Sequence, residues 1–246
     1  MTAARFSVVI PVLDEAATID AALHALAPLR AQGAEVVVVD GQSRDDSAAR
    51  AARGADRVLV AARGRARQMN AGAAQARGDV LLFLHADTQL PARALEAIDA
   101  ALAPSPAFAA GSEATSRAVG EAGAVPVWGR FDVSISGRSP MLGVIAALMN
   151  LRSRGTGVAT GDQAIFVTRA AFEQVGGFPD QPLMEDIELS KRLGRLGAPA
   201  CLRERVVTSG RRWETRGVWR TIALMWRLRL LYRLGVAPDR LARGYR

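Results

Sequence analysis

The residues of this 246-residue chain that could do chemistry fall into short acidic turns. Pro11-Val-Leu-Asp14-Glu15 follows one apolar run, Asp40-Gly-Gln-Ser follows a second, and His85-Ala-Asp87-Thr follows a third. Further along, Gly161-Asp162-Gln163 and Glu185-Asp186 add three more acids, and Arg211-Arg212-Trp213 adds a basic, aromatic element. Carboxylates in such turns suit two tasks, holding a hard, oxygen-seeking cation or moving a proton. Aspartate is also a common turn and helix-capping residue, so any one cluster alone could be an ordinary polar turn. Three of them, each directly after an apolar run, point to a site.

The elements that must position these residues alternate regularly at first. Runs 6–10, 35–39, 57–61 and 80–84 are rich in β-branched and aliphatic residues and read as strands. Between and after them, 18–29, 45–53, 65–77 and 91–102 read as helices, the last with Pro91 in its first turn. Near-continuous apolar strands are covered on both faces, which predicts a mostly parallel, Rossmann-like central sheet in an α/β fold with helices on both faces. From residue 104 the pattern loosens into an irregular half. It holds a variable loop at 111–127, strands at 128–135 and 164–168, and helices at 141–151, 183–196 and 218–234. His24 falls in a helix as a structural residue, and Cys201 packs in an apolar strand. One domain over 1–246 is expected, divided into 1–103, 104–212 and a basic helical segment, 213–246.

Ligands of open α/β sheets bind beyond the carboxyl ends of the strands, where these acids lie. A dinucleotide-binding enzyme would need Gly-x-Gly-x-x-Gly after the first strand, so that backbone can approach a pyrophosphate. The turn here is Pro-Val-Leu-Asp-Glu. A diphosphate at this edge must be neutralised another way, and Mg²⁺ or Mn²⁺ on Asp87 would do it, since these ions bind few carboxylates plus substrate phosphates.

Composition bounds the alternatives. The net charge is +8, yet residues 201–246 alone hold 12 basic and 3 acidic side chains. Arginine supplies every basic residue but Lys191, so the high isoelectric point says little about nucleic acid, which the acidic sheet edge would repel. A localised basic tail suits anionic lipid headgroups or a phosphate-bearing ligand. The single cysteine fits a reducing cytoplasm. No stretch approaches the about 18 apolar residues of a membrane span, and no secretory signal pattern is seen, so a cytoplasmic protein, at most peripheral on the inner face of the membrane, is expected.

Phe6-Ser-Val-Val-Ile-Pro-Val-Leu-Asp-Glu, Val38-Val-Asp-Gly-Gln-Ser, Gly64-Arg-Ala-Arg-Gln-Met-Asn-Ala-Gly, Leu82-Phe-Leu-His-Ala-Asp-Thr, Gly161-Asp-Gln-Ala-Ile-Phe-Val, Gly176-Gly-Phe-Pro and Met184-Glu-Asp-Ile-Glu-Leu together resemble family 2 glycosyltransferases over about residues 6–215. The subgroup most resembled is the small bacterial radical-SAM/selenodomain-associated one. The resemblance implies a GT-A fold and inverting transfer, hexosyltransferase-like, from a nucleotide-diphosphate sugar to a hydroxyl of a small-molecule or lipid-linked acceptor. It places Pro11, Glu15 and Asp40 at the nucleoside, and Arg67 near the base or diphosphate. Asp87 becomes the metal ligand, with His85 in the first place of an Asp-x-Asp pattern, to ligate, contact ribose or pack. Asp186 becomes the catalytic base beside Glu185, Asp162 an alternative base or acceptor residue, and Arg212-Trp213 an element closing over the diphosphate. Residues 1–103 then form the donor half and 104–212 the acceptor half. A sugar nucleotidyltransferase would carry a glycine- and lysine-rich phosphate loop after the first strand, absent here. A non-catalytic nucleotide-sugar- or membrane-binding protein is the other alternative.

Helix 218–234 has two apolar strips at helical spacing, Trp219/Ala223/Trp226/Leu230 and Leu224/Leu228/Leu231, with arginines between. Two strips suggest two partners, the catalytic domain and either a bilayer surface or a second subunit. A core helix with snorkelling arginines is the other reading.

Overall fold

The computed structural model describes residues 5–103 and 125–245. In chain order the elements are β1 (Phe6–Val12), α1 (Ile19–Ala31), β2 (Glu35–Asp40), α2 (Ser47–Ala51), β3 (Arg57–Val60), α3 (Arg65–Gln75), β4 (Val80–Phe83), β5 (Thr88–Gln89) and α4 (Ala94–Leu102). There follow β6 (Trp128–Ser136), α5 (Met141–Thr156), a 3-10 turn (Gly161–Gln163), β7 (Ile165–Thr168), α6 (Arg169–Gln174), α7 (Glu185–Leu193), β8 (Ala200–Ser209), α8 (Arg211–Arg216), α9 (Val218–Arg233) and α10 (Pro238–Arg243).

The strands form one sheet of order β3-β2-β1-β4-β7-β6-β8-β5. β3, β2, β1 and β4 are mutually parallel, β7 runs antiparallel to both β4 and β6, and β8 is parallel to β6. This is the mostly parallel α/β sheet the apolar runs predict. Alternation inside the buried strands divides the core in two. Val8, Ile10, Val36, Val38 and Leu82 pack on one face with Leu26 of α1, Ile98 of α4 and Leu142 of α5. Val9, Val37, Val39, Leu81 and Phe83 pack on the other with Met69 of α3, Phe172 of α6 and Leu189 of α7. On that second face α3 lies unusually close, because a Cβ on Gly72 would sit 2.4 Å from Val9 Cγ1.

The pairing registers decide where chemistry can happen. Phe83 at the end of β4 faces Ile165 at the start of β7, and Thr88 at the start of β5 faces Thr208 near the end of β8. The exits of β1, β2, β4, β6 and β8 and the approach to β7 therefore share one edge. Every acidic turn singled out in the sequence opens onto it.

Boundaries differ in instructive places. The fourth helix starts at Ala94, not at Pro91, which instead accepts the Ala94 N–H in a preceding turn. The 183–196 helix is confined to Glu185–Leu193, because Met184 sits in the left-handed region (φ 65°) and breaks it. The loop read at 111–127 lies outside the described residues except for its last three. His24 is exposed on α1, and Cys201 is partly buried in β8. Among the described residues no helix is long and apolar enough to cross a membrane.

Candidate active site

One end of this edge is built by hydrogen bonds between the loops after β1 and β2. Gln68 of α3, fully buried, donates from Nε2 to the carbonyls of Val12 and Val39, both at 2.8 Å, and so fixes the two strand ends together. Beyond them Ser43 Oγ accepts the Asp14 N–H, Ser47 Oγ accepts the Glu15 N–H, and Asp14 Oδ1 accepts the Arg44 N–H. Buried Asp40 accepts from Ser43 N at 3.0 Å and Ser43 Oγ at 2.5 Å. Pro11 is buried within β1, and Glu15 accepts from Thr18 Oγ1 while Arg211 of α8 reaches to 3.8 Å from it. Pro11, Glu15 and Asp40 thus lie at the cross-braced ends of β1 and β2.

At the middle of the edge, half-buried Asp87 has little to hold it. Its Oδ1 is 3.4 Å from Thr88 Oγ1, and its backbone carbonyl accepts the Ser209 N–H. His85 is engaged instead. Its Nδ1 is 3.4 Å from Asp162 Oδ1, and its Nε2 edge fills the space a Cβ on Gly161 would need, 2.5 Å away. Among the described residues no three His, Cys, Asp or Glu side chains gather as a metal nest. A cation here would rest on Asp87 and on oxygens of the substrate, which fits Mg²⁺ or Mn²⁺ at a phosphate and not a structural metal cage.

The third group sits at the N-terminus of α7. Asp186 Oδ2 accepts the Gly161 N–H at 2.9 Å and Oδ1 accepts the Ile187 N–H at 2.7 Å, so both oxygens are fixed. Glu185 is buried, with Oε1 3.1 Å from Arg65 Nε and Oε2 unpartnered. Burial pushes the Glu185 carboxyl up, Arg65 opposes that and Asp186 adds to it. For Asp162, desolvation is more than offset by His85, Arg65 and Arg212, which hold its carboxyl below the ordinary value. His85, Asp162 and Asp186 therefore form one connected strip, from the end of β4 through the 3-10 turn to α7.

Not every residue named from sequence joins this strip. Arg67 is exposed and pairs with Asp180 at 2.7 Å, whereas Arg65, two residues earlier on α3, reaches the acids. Successive alternate residues on a helix point to nearly opposite sides, so only one of the two can face inward. Trp213 packs on the main core and lines a cavity of about 600 Å³ with Arg138, Ser139, Glu214, Gly217 and Val218. Arg212 donates to Tyr245 Oη and lies over its ring, which ties α8 to the C-terminal turn. Arg65 lies within the Gly64–Gly72 motif, where sequence alone points to Arg67 instead, and Arg152 and Arg229 lie on helices without a local motif.

Backbone strain marks the same place. Among the described residues the non-glycine residues with positive φ are Asp14 (54°), Gln42 (65°), Ala164 (49°) and Met184 (65°), which fall in the loops after β1 and β2, before β7 and before α7, whereas the turn after β4 has none. Such conformations cost on the order of 1–3 kcal/mol each and cluster where geometry serves a function.

Residues 7–116 match the sequence model of the family described as "Glycosyl transferase family 2". No curated protein matches the chain significantly. Among solved structures, the mannosyltransferase PcManGT from Pyrobaculum calidifontis, in complex with GDP-Man and Mn²⁺, is 21% identical with a TM-score of 0.55, over 82% of this chain and 56% of that one. TarS 1–349 of S. aureus, in complex with UDP-GlcNAc, is 16% identical with a TM-score of 0.60, over 83% and 58%. Glucosyl-3-phosphoglycerate synthase from Mycobacterium tuberculosis, with Mn²⁺, UDP and phosphoglyceric acid, is 18% identical with a TM-score of 0.54, over 82% and 69%. The chain thus spans somewhat more than half the length of the first two. Its fold is that of the GT-A glycosyltransferases, and its first half matches the sequence model of family 2.

Proposed function

We propose that this chain is an inverting glycosyltransferase that moves a sugar, of hexosyl type, from a nucleoside-diphosphate sugar to an acceptor hydroxyl. The observation that carries it is the strip from His85 through Asp162 to Asp186, which ends on a carboxylate fixed at a helix N-terminus and lies at the same sheet edge as the cross-braced β1 and β2 loops. The family match over residues 7–116 and the nucleotide-sugar and Mn²⁺ complexes of its structural relatives agree with it. Within the family, the reading keeps the small bacterial subgroup that the sequence resembles.

Pro11, Glu15 and Asp40 bind the nucleoside. Asp87 holds Mg²⁺ or Mn²⁺, which when bound neutralises the diphosphate and eases its departure. Asp186 takes the proton as the acceptor oxygen bonds to the anomeric carbon and the bond from that carbon to the diphosphate breaks. Glu185, held by Arg65, keeps the start of α7 in place. A thermal-shift panel of nucleoside diphosphates with Mn²⁺ or chelator tests the reading. Stabilisation by at least one nucleotide, only with metal, is expected. No response to any nucleotide with Mn²⁺ would falsify it.

The acceptor side favours a surface-bound substrate. The inner strip of α9 is packed, with Leu228 buried against Leu183, Met184 and Ile187. The outer strip is bare, with Trp219 and Trp226 exposed by 71% and 73%, and Leu230 and Leu234 beside them. Val144, Leu148 and Leu151 of α5 are exposed as well. Exposed Arg216, Arg220, Arg227 and Arg233 border the α9 strip, which suits an anionic lipid surface. A cytoplasmic enzyme docked on the inner membrane face follows. In vesicle co-sedimentation, binding should require anionic lipid and fall at least about tenfold in Trp219→Ser/Trp226→Ser, two interfacial anchors being worth well over 1.4 kcal/mol together. If the wild type ignores anionic vesicles and forms a dimer that the substitutions dissociate, the strip is a subunit interface instead.

A further inference from the structure

We propose that Arg152 and Arg229 form an anion subsite on the acceptor side of the crevice, built for the phosphate group of a phosphate-bearing acceptor. The proposal rests on the transferase reading above, from which it takes only that Asp186 faces the acceptor. Arg152 lies on the last part of α5, two residues beyond Asn150, whose Oδ1 is 3.5 Å from Nε2 of Gln163 in the 3-10 turn. Arg229 follows Leu228, which is buried against Met184 and Ile187 on either side of Glu185 and Asp186. The charges of Arg229 and Asp186 both act on Arg152, and that of Asp186 acts on Arg229, so the two arginines lie within electrostatic reach of each other and of Asp186, on α5 and α9, elements that take no part in the donor loops.

Their state is what calls for a ligand. Nε and Nη2 of Arg152 are sealed from solvent and have no hydrogen-bond partner. Among the described residues neither Arg152 nor Arg229 forms an ion pair, whereas Arg130 and Arg154 pair with Asp132, and Arg65 with Glu185. Burial, then the nearby Arg229 and, beyond the partial relief from Asp186, Arg130, push Arg152 down to about 10. Burial also lowers Arg229, with Asp186 and Asp162 opposing it. Two half-buried guanidiniums held near each other without anions are costly, and leaving buried donors unmade costs more than a made bond gains. A phosphate oxyanion supplies the missing acceptors, because the planar guanidinium fork matches it bidentately. The donor diphosphate is another anion to consider, but the donor loops open at the β1 and β2 ends, and Arg65 and Arg212, the other arginines that act on Asp162, already have partners.

The test titrates the full chain, alone and with Mn²⁺ plus a nucleoside diphosphate, with glycerol phosphate and with a short-chain phosphatidate below its micelle concentration, so that no bilayer is present for the α9 strip to bind. These two arms separate a soluble phosphate ester from a lipid headgroup. Wild type should bind one of them, Arg152→Gln and Arg229→Gln should weaken that binding about 10- to 100-fold, and the metal-dependent nucleotide shift should stay unchanged. Unliganded Arg152→Gln should melt about 2–4 °C higher, since one of two opposed buried charges is gone. A purely structural arginine would give a lower melting temperature, and that result overturns the proposal. So does binding that survives both substitutions, an absence of binding in both arms, or a nucleotide shift that falls along with phosphate binding. Failure of wild type to bind any nucleotide sinks the transferase reading alone, because the titration of the free chain still reports on the arginine pair.

Discussion

Asp186→Asn should lower turnover by about 10²–10⁴-fold, the range of a lost general base, while Mn²⁺-dependent stabilisation by a nucleoside diphosphate persists. Each carboxylate oxygen of Asp186 spends one lone pair on a backbone N–H, from Gly161 at 2.9 Å and Ile187 at 2.7 Å. The remaining lone pairs are free to accept a proton in a fixed direction. Asparagine keeps one of the two amide contacts and turns an N–H₂ toward the other, so a stability loss of about 1 kcal/mol accompanies the change. That loss is read separately by melting temperature and is far too small to explain a turnover loss at the upper end of the range. Glu185→Gln and Asp162→Asn serve as the comparison, and each should cost less turnover than Asp186→Asn. Full turnover in Asp186→Asn, with any acceptor the wild type uses, would remove Asp186 as the base.

Asp87→Ala should abolish the metal-dependent part of nucleotide binding. A ligand at 100 times its Kd stabilises by about 2.7 kcal/mol, which for a chain of this size is roughly 5–10 °C in Tm. The variant should show almost none of that shift, and the wild type should lose it in chelator. His85→Ala should retain most of it, because His85 contacts Asp162 and crowds Gly161. Equal nucleotide shifts in Mn²⁺ and in chelator would contradict the role given to Asp87.

What the sequence made legible follows burial. β1, β2 and β4 are buried along their whole length, so every position had to be apolar or specifically satisfied, and the runs stand out. β8 carries exposed Arg203, Glu204 and Arg205 through its middle and does not. The turns at strand ends were readable because the fold class dictates where they lead. The contacts that cross the chain were not. His85 meets Asp162, Arg65 meets Glu185, and Asp186 meets Gly161 over separations of 77, 120 and 25 residues, which no local pattern encodes. The choice between Arg65 and Arg67 needed the rotation of α3, fixed by the close packing of Gly72 on β1. Arg152 and Arg229 needed the tertiary placement of two helices that, in sequence, show only a mixture of apolar residues and arginines.

The seam between β4 and β7, where strand direction reverses, has an evolutionary corollary. All four strands on one side of it come from residues 6–83, and the strands on the far side, β5 excepted, come from residue 128 onward. On the proposed reading, lineages can exchange the later segment, and with it the acceptor, while inheriting the nucleotide pocket intact. The family match, which ends at residue 116, stops between the two.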